Sequence, residues 1–226
     1  MSVRRLLIAL SISTGLLSAH DIITTNLTFT RDVSRIFARH CLSCHGANAS
    51  IPLVTYEQAR PWAVSIKEQV LSRAMPPWGA VKGFGNLSPD NGLSQEDILI
   101  LAAWVVGGAP KGNPELLPTS PISLRQAAQP VLADALQVDT RVTLRSPLRL
   151  AGIRPLPTVE VASTRVVARW PDGRVEPLVW LYRYDPKFAH TFTFQKPIEV
   201  PAGAVIEASA PLRYTLETIK APLPGS

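Results

Sequence analysis

Both cysteines of this 226-residue chain fall within five residues, Cys41-Leu42-Ser43-Cys44-His45. Thiols at i and i+3 share one face of a helical turn, and the next residue presents an imidazole beside them. That spacing fits addition of both thiols to the two vinyl groups of one porphyrin, with His45 on the iron. No cysteine is left over to form a competing disulfide. A thioredoxin-type dithiol does not need the histidine and expects a preceding strand. A zinc site needs about four ligands, and only His40 and His45 lie nearby. The expectation is a single, covalent haem c on Cys41, Cys44 and His45.

The far side of such an iron needs a second ligand or an open position. Apart from the initiator, Met75 is the only methionine. It stands in Arg73-Ala74-Met75-Pro76-Pro77-Trp78, where paired prolines fix φ, forbid helix and stiffen the loop. A thioether opposite His45 raises the reduction potential relative to two imidazoles. Met75 is therefore expected as the second axial ligand rather than as a core gap-filler.

Helical spacing of Val33, Ile36, Phe37 and His40 predicts a helix over 32–40 that enters the cysteine motif. Thr55-Tyr56-Glu57-Gln58 has the form of a capping box. Pro61 suits the first turn of a helix reaching about Ala74, with Trp62, Ile66 and Val70 on one face. Ser94, with Glu96 and Asp97 behind it, caps a helix bearing Ile98, Leu101, Ala102, Trp104 and Val105, stopped by Gly107-Gly108. Crossing of the Phe37 and Trp104 helices would close one side of a haem pocket. Residues 79–92, rich in Gly, Asn and Pro, read as a loop at the haem edge. After a proline-punctuated linker, 113–121, the period changes to two. Val138, Thr140, Val142 and Leu144 predict one half-buried strand. Pro171-Asp172-Gly173 and Pro201-Ala202-Gly203 each predict a hairpin turn between two strands. Short strands over 122–222 imply a β-sandwich.

The segments Leu53–Ala63, Val70–Trp78 and Trp104–Gly112, with the cysteine motif, resemble a class I cytochrome c domain over 27–112. More narrowly, they resemble bacterial modules of the CxxCH…MPPW type. This resemblance implies a multi-domain fold, an all-α cytochrome c domain followed by an all-β sandwich. It implies His45 and Met75 as ligands and makes Tyr56, Arg60, Trp62, Arg73, Pro76 and Trp78, beside Phe37 and Trp104, candidates for the haem pocket. Residues 165–208 are similar to the C-terminal part of copper type II, ascorbate-dependent monooxygenases. That family holds copper with a His-x-His pair and a methionine, whereas 111–226 contain one histidine, His190, and no methionine. One imidazole makes no tight copper site, so no copper is expected and His190 reads as a surface or hydrogen-bonded strand residue.

Residues 1–19 read as a secretory signal peptide: Arg4 and Arg5, an apolar run from Leu6 to Leu17, then Ser18 and Ala19. The run is short for a membrane span, so no span is expected after cleavage, although an uncleaved leader would anchor the chain. Export to the periplasm agrees with thioether attachment outside the cytoplasm. The formal charge of +6 comes without a basic run, which argues against nucleic acid. Residues 20–110 balance seven basic against seven acidic side chains, whereas 111–226 carry fourteen against ten. Attraction to an acidic partner protein is what that surplus supports. Taken together, the residues point to an exported monohaem c-type cytochrome that passes single electrons, its β-sandwich docking a redox partner. An enzyme (a cytochrome-fed copper monooxygenase or a haem peroxidase) and a haem-based redox or gas sensor stay open as alternatives.

Overall fold

The alternation over 138–144 runs through Thr140, and there the chain turns a corner. In the computed structural model, which describes residues 26–118 and 134–219, Thr140 adopts φ 63°. Its amide donates to the Leu212 carbonyl at 2.8 Å and its hydroxyl accepts from the Leu212 amide at 3.2 Å. The expected single strand is thus two. β1 (Asp134–Asp139) pairs with β8 (Arg213–Thr218), and β2 (Arg141–Thr143) pairs with β7 (Val205–Ala208).

With β3 (Leu148–Pro155), β4 (Val161–Arg169), β5 (Val175–Tyr184) and β6 (Phe192–Val200), these strands build two four-stranded antiparallel sheets. Their orders are β1-β8-β3-β6 and β2-β7-β4-β5. The Asp172-Gly173 hairpin forms between β4 and β5. The hairpin expected at Pro201–Gly203 does not: β6 pairs with β3 while β7 pairs with β2 and β4, so this turn carries the chain from one sheet to the other. Leu150, Ile153, Phe192 and Leu216 from one sheet meet Val166, Leu178, Leu181 and Ile206 from the other in a common core. Removal of this apolar surface from water is what holds the layers together.

The helices are few and short. A π-turn (Phe29–Val33) leads into α1 (Ser34–His40). α2 (Tyr56–Ala59), a 3₁₀ turn (Arg60–Trp62) and α3 (Ala63–Leu71) follow, then α4 (Gln95–Val106). The capping box at Thr55/Gln58 is present, and Ser94 forms a second with Asp97. Phe29, Ile36, Phe37, Leu101 and Trp104 are buried together, with Phe29 edge-on to Phe37 at 6.0 Å.

The chain is mainly β, and the expected all-α cytochrome domain is not there as a self-contained unit. The physical reason lies in residues 78–88, within and beside the stretch 79–92 read from sequence as a loop at the haem edge. Trp78 and Leu87 are buried in the sandwich core with Ala80 packed against it, and Ala80 and Leu87 form bridges to Leu181 and Phe194. A glycine-rich composition hid two isolated bridges that tie this loop to the sheet edges. Among the described residues no helix is long and apolar enough to cross a membrane. The leader 1–19 and residues 119–133 lie outside the described residues.

Candidate functional site

The cysteine motif begins where α1 ends. The Cys41 amide still bonds back to the Phe37 carbonyl at 2.8 Å. The Cys41 carbonyl then accepts from the Cys44 and His45 amides at 3.1 and 2.8 Å, so one turn gathers the three side-chain bearers. Neither thiol is in a disulfide; Cys41 is half-buried against the helical core and Cys44 is exposed. Burial, and secondarily the neighbouring Cys44, pushes the Cys41 thiol up to about 12. A nucleophilic redox dithiol needs the opposite shift.

His45 is oriented by the backbone. Its Nδ1 lies 2.8 Å from the Ile51 carbonyl oxygen. A carbonyl only accepts, so Nδ1 is the donor here, and in the neutral tautomer that this contact selects Nε2 is the nitrogen with a lone pair for a metal. The Leu53 amide donating to the His45 carbonyl at 3.0 Å closes the same loop. Ile51 was invisible as a functional residue from sequence, because its contribution is a main-chain oxygen. His40, the other imidazole nearby, turns away: its Nδ1 faces the Asn91 carbonyl at 3.3 Å and its Nε2 lies 3.9 Å from Asp97. Burial lowers its pKa, with Asp97 opposing.

Met75 follows the end of α3. Its amide and that of Ala74 reach the Gln69 carbonyl at 3.3 and 2.9 Å, so the loop springs directly from the helix end. The residue is 37% exposed and lines a small cleft open to solvent. Val70, Leu93 and Ile98 supply apolar walls, Arg73, Pro76 and Trp78 join from the same loop, and Tyr182 comes from β5. Val70, Leu93 and Ile98 also belong to the core on which Cys41 and Leu42 pack. Both candidate attachment points therefore border one apolar body.

The other expected pocket residues divide. Arg73, Pro76 and Trp78 gather at Met75, and Arg73 donates to the Gln95 side-chain oxygen at 3.1 Å. Phe37 and Trp104 are fully buried in the helical core, Trp104 donating to the Pro110 carbonyl at 3.0 Å. Tyr56 donates to the Ala109 carbonyl at 3.1 Å and so ties α2 to the end of α4. Arg60 and Trp62 lie on the surface. His190 sits on no strand. It follows a 3₁₀ turn (Pro186–Phe188), places Nδ1 2.8 Å from the Phe188 carbonyl and stacks on Trp78 at 4.5 Å.

No family model matches the chain, and no curated protein matches it. Among the described residues no group of three or more His, Cys, Asp or Glu side chains could hold a metal ion. These findings, with a mainly β structure and short helices, overturn the resemblance to class I cytochrome c domains and to copper type II monooxygenases. The motif similarity rests on short segments, and the architecture around them is different.

Proposed function

We propose that Cys41 and Cys44 would hold one haem through thioether links, with His45 and Met75 as the donors available to its iron. The protein's role is to pass single electrons to a partner protein in the periplasm. The observation that carries the reading is the 2.8 Å contact between His45 Nδ1 and the Ile51 carbonyl, which leaves Nε2 as the free donor. The donor set fits the group: two unpaired thiols in one turn, an oriented imidazole after them, and a partly exposed thioether beside an apolar cleft. When bound, haem supplies a one-electron couple, and imidazole–thioether ligation places it above a bis-imidazole one.

The chain's own part is to hold donors and exclude water. Ile51 fixes the imidazole plane, and Val70, Leu93 and Ile98 offer apolar walls. The leader-like residues 1–19 support export, and the positive surplus in 111–226 supports an acidic redox partner.

The test is the mass of protein exported from a host equipped for haem attachment. Wild type is expected to carry one haem that survives denaturation, and a C41S/C44S variant none. Met75→Ala should keep the covalent haem but lower its reduction potential. An unmodified polypeptide mass for the wild type would refute the reading.

A further inference from the structure

The Met75 segment is held at both ends by the sheets. On its N-terminal side, Arg183 Nη1 donates to the Ser72 carbonyl at 3.2 Å, while Arg183 Nε lies 3.7 Å from Glu160. On its C-terminal side, the Tyr182 amide donates to the Gly79 carbonyl at 3.0 Å and the Val81 amide donates to the Trp180 carbonyl at 2.9 Å. Tyr182 and Arg183 are consecutive residues of β5, so one strand end grips the segment before and after the methionine.

Between the two grips the chain has little freedom. Pro76 and Pro77 have fixed φ. Trp78 is 9% exposed, stacked on His190 with planes 20° apart and edge-on to Phe192 at 5.1 Å. Gly79, at φ 69°, lies so close to β5 that an added Cβ would stand 2.6 Å from Tyr184 Cδ2 and 3.1 Å from Tyr184 Cα. Only glycine permits that approach. A seven-residue link from Ser72 to Trp78 would otherwise sample many positions of the thioether, and ordering it would oppose any bond the sulfur makes.

We infer that Arg183 of β5 and His190 are positioning residues for Met75, so that the β-sandwich sets where its thioether stands. This rests on the reading of Met75 as an axial ligand. It gives the sheets a task at the redox site itself, beyond docking a partner. Arg183 acts through the Ser72 carbonyl and His190 through the Trp78 ring.

The test uses the full chain with Arg183→Ala, Arg183→Lys and His190→Ala. In haem-free protein, trypsin cleavage after Arg73 reports opening of the segment, since proteolysis follows the population of the open form. Loss of the Arg183 or His190 contact is expected to raise it about fivefold, the equivalent of about 1 kcal/mol, with Arg183→Lys restoring part and cleavage after Lys111 unchanged. In haem-loaded protein, the same two alanine variants should lower the reduction potential and weaken the far-red absorption of thioether-ligated ferric haem. Unchanged cleavage after Arg73 would overturn the inference, as would raised cleavage with an unchanged potential and spectrum. A wild type without haem would instead count against the proposed function, and the cleavage result alone would then decide the clamp.

Discussion

Trp78→Ala removes the side chain that joins the Met75 loop to the sandwich, and its cost is worked from three terms. A tryptophan buries roughly 200 Å², and Trp78 keeps only 9% of its surface exposed. At about 25 cal/mol per Å² that burial is worth nearly 5 kcal/mol. Its ring contacts with His190 at 4.5 Å and Phe192 at 5.1 Å add about 1 kcal/mol. Against this, the indole Nε1 is buried with no hydrogen-bond partner, and removing it relieves about 2 kcal/mol of desolvation. The expected net loss is about 4 kcal/mol, inside the range of about 3–5 measured for large-to-small core changes. For a chain of this size it lowers Tm by roughly 10 °C. The assay is urea unfolding followed by far-ultraviolet circular dichroism. Trp62→Ala is the control, because that indole is 41% exposed and its loss should stay near 1 kcal/mol or less. Equal effects of the two substitutions would refute the placement of Trp78 in the sheet core.

Two further expectations follow from the same region. Burial lowers the pKa of His190 from 6.5 despite its bond to the Phe188 carbonyl, and around it stand Trp78, Tyr184 and Phe192 with no carboxylate. The unfolded chain then binds the proton first, so stability is full above pH 6.5 and declines as pH falls below it, by at most about 1.4 kcal/mol per unit. His40 shares the direction; His190→Phe should flatten the dependence without abolishing it, and an unaltered pH profile of urea midpoints would contradict this. Gly85→Ala would set a Cβ 2.0 Å from the Leu178 carbonyl oxygen at φ 81°. A loss of about 3 kcal/mol is expected from crowding and left-handed strain, and an unchanged midpoint in the same unfolding assay would show that Leu178 and the 78–88 run are not in contact.

Much of the local structure was legible in the sequence, because it depends on neighbours a few residues apart. The capping boxes at Thr55/Gln58 and Ser94/Asp97 are read from side chains three positions apart. The Asp172-Gly173 turn declares itself in the same way, and the five-residue cysteine motif defines its own turn. What pairs with what was not legible. Thr140 lies in an unbroken alternation yet turns left-handed, because its amide and hydroxyl both engage Leu212, seventy-two positions on. The run 78–88 has the composition of a loop and is one, and only the edges at Leu181 and Phe194 pin it to the sheets through isolated bridges.

The candidate site divides along the same line. Which atoms could hold a cofactor was set by residue type and spacing: two thiols, one imidazole after them, and a lone thioether between a helix end and two prolines. The orientation of those atoms was set by contacts that composition does not record, the Ile51 carbonyl on His45 and the ties from Tyr182 and Arg183 around Met75. Backbone oxygens and amides are common to nearly every residue, so their position in space, which is the property that matters here, comes only from the folded chain.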